Sequence, residues 1–341
     1  ARNIKSDDLV YGGIVPLSHE DTGYRVTSLT SKEIREGLRG NTSVSYAVTF
    51  KADGVRKLIV VEGTNVWIVS PTRQLSLVRK LKSNSPFCVL ECEEVDMGKN
   101  KEDNVLITRK LFLIFDCLFV GNDVRVAPYE VRMKAAGTLT NALSNIPHAQ
   151  VQLKPFTVFR TPEEFFTTVT QYLDDRQNQV YNTDGLMFIP NESPYRADMK
   201  VKDLKDYERV LTKIPDICKW KDPTNLTIDF LVKLSLAENG TRLRLFNYGT
   251  GHRQEVEFVG SDFHPFDSLT DIDYTAPLLQ QITADAIVEF GYDYSQGKLF
   301  PVRMRPDKTG PNNQMTASQV WRDINRPIRA DHLVGRNNKQ G

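Results

Sequence analysis

Between residues 42 and 120 the chain is a succession of short apolar runs: Ser45–Phe50, Lys57–Glu62, Asn65–Val69, Phe87–Cys92, Val105–Ile107 and Leu111–Val120. Each is short for a helix and rich in β-branched residues, which suit a pleated, half-buried surface. Gly63-Thr64-Asn65 and Gly121-Asn122-Asp123 read as turns between or after such runs, so the pattern predicts an antiparallel sheet region. Helical period appears at Ser31–Leu38, Tyr129–Asn145 and Pro162–Leu173, the last opening on Thr-Pro-Glu-Glu with Thr161 as its cap. Sheets covered by a few helices make an α+β domain.

The texture changes near residue 227. Thr227–Leu234, Arg242–Asn247, Glu255–Val259 and Ala286–Tyr292 read as strands, with turns at Glu238-Asn239-Gly240 and Tyr248–Gly251. Short strands at this spacing suit a small β-barrel. Helix returns at Thr316–Ile324, before a polar tail containing Arg326, Arg329, Arg336 and Lys339. The expected division is therefore 1–227, 228–313 and 314–341.

With 341 residues the chain can bury a substantial core. Its 44 Lys+Arg against 43 Asp+Glu exclude a blanket polycation, so nucleic acid would have to be held by a local basic groove. Cys88, Cys92, Cys117 and Cys218 lie in or beside apolar segments without a secreted-domain framework, and are expected to be reduced thiols in a reducing compartment. The Cys88/Cys92 spacing suggests half a zinc site, but no second Cys/His pair accompanies it. No stretch approaches a membrane span, and the N-terminus lacks the basic and apolar regions of a signal peptide, so no membrane partner is expected.

Lys51-Ala52-Asp53-Gly54, closing the first apolar run and followed by Arg56, puts a candidate nucleophilic amine beside an acid and a tight turn. Composition alone yields such a string in roughly one chain of this length in ten or twenty, so its companions decide the matter. They are Glu91-Cys92-Glu93, Phe115-Asp116, Asp184-Gly185-Leu186-Met187-Phe188, Lys219-Trp220-Lys221, Asp229, and Arg303-Met304-Arg305-Pro306-Asp307-Lys308. A free lysine has a pKa near ~10.4, and neighbouring cations and a metal lower it, so Lys219 and Lys221 could help supply a neutral amine near pH 7. In a strand, residues i and i+2 share a face, which lets these two lysines reach one pocket while Trp220 packs behind.

This ordered series resembles the covalent nucleotidyltransferase superfamily, and specifically the mRNA capping guanylyltransferases, over nearly the whole chain. The resemblance implies a nucleotidyltransferase domain followed by an OB-fold barrel. It also implies that GTP is attacked by Lys51 with Mg²⁺ or Mn²⁺, and that GMP then passes to a 5′-diphosphate RNA. Arg56 would bind the ribose, Phe115 would stack on the purine, and Glu93 would serve the ribose or the metal. Asp184 would stand near the metal. Lys219 and Lys221 would contact the α-phosphate region, and Asp229 would orient phosphate and water. Arg305 and Lys308 would close over the β- and γ-phosphates, supported by Arg303 and Asp307. Taken singly, Phe115 is a core residue, Asp-Gly a turn, Lys-Trp-Lys an edge strand and Glu62 a structural charge.

One departure is that Glu91-Cys92-Glu93 stands where the family usually carries Asp-Gly-Glu, without the glycine. Pro311-Asn312 after the closing motif looks like capping and unlike the ligases, and the tail Thr316–Ile328, with Val320–Ile324 and Arg326-Pro327-Ile328, is similar to the capping enzymes of large cytoplasmic DNA viruses and related cytoplasmic linear plasmids. Such an origin would place the chain in the cytoplasm, a viral factory or a virion. It contains neither a Gly-rich S-adenosylmethionine loop nor a Cys-x5-Arg signature, so RNA triphosphatase and cap methyltransferase domains or subunits are expected partners. The alternatives are an ATP-dependent DNA or RNA ligase and, from another class, a non-catalytic RNA-binding module.

Overall fold

A computed structural model describes residues 26–28, 45–72, 74–97, 109–144, 149–195, 217–237, 240–249 and 254–334. The expected helix Ser31–Leu38, the run Val105–Ile107, the turn residues Glu238, Asn239, Thr250 and Gly251, and the tail residues Arg336 and Lys339 lie outside them. The chain divides into two compact units, one drawn from residues up to Trp220 together with those from Asp331, the other spanning Lys221–Ala330.

The first unit holds two sheets. One has the order β1 (Val26–Ser28), β10 (Ile217–Lys221), β9 (Thr183–Pro190), β2 (Tyr46–Ala52), β8 (Phe156–Phe159). The other runs β3 (Val55–Val69), β4 (Leu75–Met97), β5 (Arg109–Val120), β6 (Asn122–Asp123), with β7 (Ala149–Leu153) also on β5. Within residues 42–120 the pairs β3–β4 and β4–β5 are antiparallel, as expected, but the sheets as wholes are mixed and not antiparallel throughout: β1 pairs parallel to β10, and β7 parallel to β5. The cause of the second is α1 (Tyr129–Leu143), which acts as the crossover a parallel pair needs. Its Ala136, Leu139 and Leu143 pack on Phe112, Ile114 and Val151 of the sheet.

A second correction concerns Gly63-Thr64-Asn65, which is no turn. β3 runs straight through it as a 15-residue strand against the 23-residue β4, and the chain reverses instead at Pro71-Thr72. Gly63 takes φ 58°, open to glycine, and the register slips on both sides of it, as at a bulge.

α2 (Pro162–Asp175) starts with a complete capping box, Thr161 accepting from the Glu164 amide while Glu164 accepts from the Thr161 amide. Such a cap contributes about 1 kcal/mol. Phe165, Val169 and Tyr172 lie on its buried face, and Tyr172 meets Phe50 of β2 with ring centroids 4.7 Å apart. Phe50 is thus committed to the α2 side, and the strand's alternation turns Lys51 to the opposite one.

In the second unit an antiparallel sheet has the order β13 (Glu255–Glu257), β12 (Gly240–Tyr248), β11 (Thr227–Ala237), β16 (Ala286–Asp293), β17 (Lys298–Met304), beside the small hairpin β14 (Gly260–Ser261) and β15 (His264–Pro265). Among the described residues β13 and β17 do not pair with each other, so this ladder forms no closed barrel. α3 (Gln314–Asn325) covers its core: Ala317, Trp321 and Ile324 join Phe230, Phe258 and Phe290, and Trp321 Nε1 donates to the His264 carbonyl at 2.7 Å. No helix among the described residues is long and apolar enough to cross a membrane.

Candidate functional site

Lys51 ends β2, and its Nζ donates to both carboxylate oxygens of Asp184 on β9, at 2.7 and 2.9 Å. Lys51 is paired with Gly185, and the next pair is Ala52 with Thr183, which leaves Asp184 as the extra residue of a bulge. A bulge re-aims a side chain, and here it brings the carboxylate onto the lysine. β9 is flanked by β2 and β10, so Lys51, Asp184 and Lys219 stand on three successive strands. On β10 Lys219 and Lys221 are half-buried while Cys218 and Trp220 are buried, the alternation that the sequence predicts.

Gly54 explains the turn after the lysine. A Cβ there would lie 2.5 Å from the Glu94 carbonyl oxygen, 2.6 Å from Val95 Cγ1 and 2.8 Å from Glu93 Cγ, so the backbone passes β4 too closely for any side chain.

Arg56, two residues on, hydrogen-bonds Glu91 through Nη2 and lies 3.3 Å from the Tyr195 hydroxyl, which itself donates to Glu91 Oε1 at 2.9 Å. Glu91 is fully buried. Burial pushes its carboxyl above the ordinary glutamate range, although Arg56 and Tyr195 pull the other way. Glu93 belongs instead to Lys154, whose Nζ is 3.1 Å from Glu93 Oε2.

Phe115 lies between these two pairs. Within Leu111–Leu118 it alone is not buried. Arg56 Cζ is 5.8 Å and Lys154 Nζ 5.6 Å from its ring centroid. Its neighbour Asp116 is instead buried, in a bidentate pair with Arg132 at 2.7 and 3.0 Å.

The remaining residues sit in the second unit. Asp229 accepts from Arg305 Nη1 at 3.1 Å and lies 3.6 Å from Lys308 Nζ. Arg305 also meets Glu289 at 3.3 Å and Asp307 at 2.9 Å, and Arg303 holds Glu289 at 2.6 Å. Hydrogen bonding from Arg305 holds Asp307 down to about 2. Glu289 is also lowered: burial raises it, but Arg303, Thr227 and Arg305 together outweigh burial. Asp229 is thus engaged by the two cations expected to close on phosphate.

A profile of the mRNA capping enzyme catalytic domain matches residues 23–205, more than half of the chain. The chain belongs to the mRNA capping enzyme catalytic-domain family. It is 23% identical over 322 residues to an mRNA-capping enzyme of Caenorhabditis elegans, covering 87% of this chain and 46% of that protein, so it spans about half of that relative's length. Two solved structures are also similar. A mycobacterial DNA ligase D complexed with ATP and MES is 16% identical at TM-score 0.44, over 84% of this chain and 96% of that one. The ligase domain from M. tuberculosis LigD is 17% identical at TM-score 0.37, over 83% and 94%.

For a capping-family chain, the structure adds residues that sequence reasoning missed. Lys154, Tyr195 and Glu289 come from segments without a motif, and Glu91 was passed over in favour of Glu93. Tyr181, packed among Ala52, Val95, Leu111 and Leu113, buries its hydroxyl without a partner among the described residues, and burial together with nearby Glu93 pushes its pKa up. Of these, only the acid at 91 had a readable signal, since i and i+2 on a strand share a face. No group of three His, Cys, Asp or Glu able to hold a metal occurs among the described residues.

Proposed function

We propose that this chain transfers GMP from GTP to the 5′-diphosphate end of RNA through a covalent Lys51–GMP phosphoramidate. The observation that carries the reading is the Lys51 amine held by both oxygens of Asp184 on the neighbouring strand, with Lys219 on the strand beyond it. Lys51 Nζ passes its ammonium proton to Asp184 and attacks the α-phosphorus as the neutral amine; the N–P bond forms as the P–O bond to pyrophosphate breaks, and the surplus proton on nitrogen leaves with the pyrophosphate. A terminal oxygen of the RNA diphosphate then attacks the same phosphorus. The N–P bond breaks, and the lysine nitrogen takes up a proton.

In this reading Lys219 and Lys221 neutralise the α-phosphate, and Arg305 and Lys308 are assigned to the β- and γ-phosphates, with Asp229 holding both cations. A nucleotide-bridged magnesium or manganese needs only one or two protein carboxylates, a requirement Asp184 fits, and when bound it neutralises phosphate charge. Glu93, neutralised by Lys154, falls to the ribose side. Guanine is favoured because Lys154 offers only donors beside Phe115. Guanine presents the N7 and O6 acceptors, whereas adenine puts an amino donor in the place of O6. We take the second unit, five antiparallel strands covered by α3, as an OB-like module, and the first as the nucleotidyltransferase domain.

The test is incubation of the chain with α-labelled GTP and Mg²⁺ without RNA. An acid-labile, hydroxylamine-sensitive adduct that disappears in Lys51→Ala is expected. Its absence overturns the proposal, and labelling by ATP instead would make the chain a ligase.

A further inference from the structure

Tyr181, two residues before β9, is 3% exposed, yet its hydroxyl has no hydrogen-bond partner among the described residues. Phenylalanine would fill the same apolar site without burying an unpaired polar group, so the hydroxyl calls for an acceptor that comes and goes.

The surroundings point to which acceptor. The Tyr181 ring packs with Val95 of β4, Leu111 and Leu113 of β5, and Ala52 of β2. Val95 is the i+2 neighbour of Glu93, and Leu113 is the cross-strand partner of Glu93, so Glu93 shares the face that Tyr181 covers. The opposite face, with Cys92, Phe112 and Ile114, packs under α1. A Cβ on Gly54 would lie 2.6 Å from Val95 Cγ1 and 2.8 Å from Glu93 Cγ, which sets those two side chains next to each other. Burial first, and then the charge of Glu93, raise the pKa of Tyr181, so the hydroxyl keeps its proton at neutral pH and remains a donor.

Glu93 can take such a donor. Lys154 Nζ donates to its Oε2 at 3.1 Å, while the carboxylate accepts through two oxygens and about four lone-pair sites. The same ammonium lies 5.6 Å from the Phe115 ring centroid. A purine seated on Phe115 draws Lys154 toward the base and loosens its hold on Glu93, just when that carboxylate has to be held still.

We propose that Tyr181 is a positioning residue for the nucleotide: once the nucleotide is bound, its hydroxyl donates to Glu93 and fixes that carboxylate to accept from the ribose hydroxyls. This rests on the guanylyltransferase reading, in which Glu93 serves the ribose.

The test compares wild type, Tyr181→Phe, Glu93→Ala and the double variant, each as the full chain, in adduct formation from labelled GTP and from 2′,3′-dideoxy-GTP. Tyr181→Phe keeps the ring and removes the hydroxyl. Its KM for GTP is expected to rise about fivefold, as for the loss of one hydrogen bond, with a maximal rate within about twofold of wild type. With the dideoxy nucleotide the variant and wild type should coincide, and in the Glu93→Ala background the substitution should add nothing. Without nucleotide, Tyr181→Phe should unfold in urea at a midpoint no lower than that of wild type, because no hydrogen bond is lost. The dideoxy comparison stands even if Glu93→Ala folds poorly.

An unchanged KM for GTP overturns the proposal, as does an equal rise for both nucleotides or a lowered midpoint. A wild-type chain labelled by ATP and not by GTP defeats the guanylyltransferase reading alone, and ATP with its dideoxy form then decides Tyr181. If no adduct forms, equilibrium binding of the same nucleotides decides it. Affinity lost in Tyr181→Phe only where the ribose hydroxyls are present supports the proposal, and any other result, absence of binding included, overturns it.

Discussion

Arg56 in the first unit hydrogen-bonds Glu91, which is wholly buried; Arg305 in the second meets Asp229, Glu289 and Asp307, the last of them exposed. The ion-pair chemistry is the same, yet the carboxyls move in opposite directions. Glu91 is raised because losing water outweighs its arginine, while Asp307 and Glu289 are lowered because pairing outweighs their smaller desolvation. Burial, more than the choice of partner, sets the sign. The first arrangement buries a carboxylate at an energetic cost. The second spreads one arginine over several acids, Asp307 among them exposed.

The largest break in this comparison is expected from Arg56→Met. Among the described residues it leaves buried Glu91 with Tyr195 as its donor, and should lower stability by about 2 kcal/mol at pH 8 in urea unfolding. The loss should shrink toward acid pH as Glu91 takes a proton.

A smaller effect, of opposite sense, is expected from Glu91→Gln. A carboxyl raised in the folded state keeps a proton that the unfolded chain has already lost, so wild type is penalised as pH rises through the ordinary glutamate range toward the raised value. The variant escapes that penalty. Its unfolding midpoint should gain on wild type with rising pH and match it in acid. A midpoint that falls behind at alkaline pH would show that pairing dominates at Glu91 after all.

The smallest effect belongs to Asp307→Asn. A lowered carboxylate contributes stability that is present above its ordinary value and lost as pH falls through about 2. Wild type should therefore exceed the variant slightly near neutrality, and the difference should close toward pH 2 in acid unfolding followed by circular dichroism.

What was legible in the sequence was local. Strand alternation gave the shared face of Lys219 and Lys221, and a Thr-Pro-Glu-Glu start gave the α2 cap. Residues whose roles depend on partners far along the chain were not legible. Tyr195 reaches Glu91 across 104 positions and Lys154 reaches Glu93 across 61, and neither carries a motif of its own. Gly63 was misleading because the left-handed freedom that marks a turn also serves a bulge inside a long strand. The parallel pairs escaped because short apolar runs specify strands without specifying their direction.

Glycine at position 54 has a consequence for how the two walls of the first unit can diverge in related chains. With no clearance between the loop and Glu93, even one added carbon would act as a wedge, prying Glu93 and its Lys154 counterion off the lysine-bearing edge together. The gap is a gauge block set by a hydrogen atom, and the reach of the Lys51 amine and the placing of the Glu93–Lys154 pair have to be retuned together.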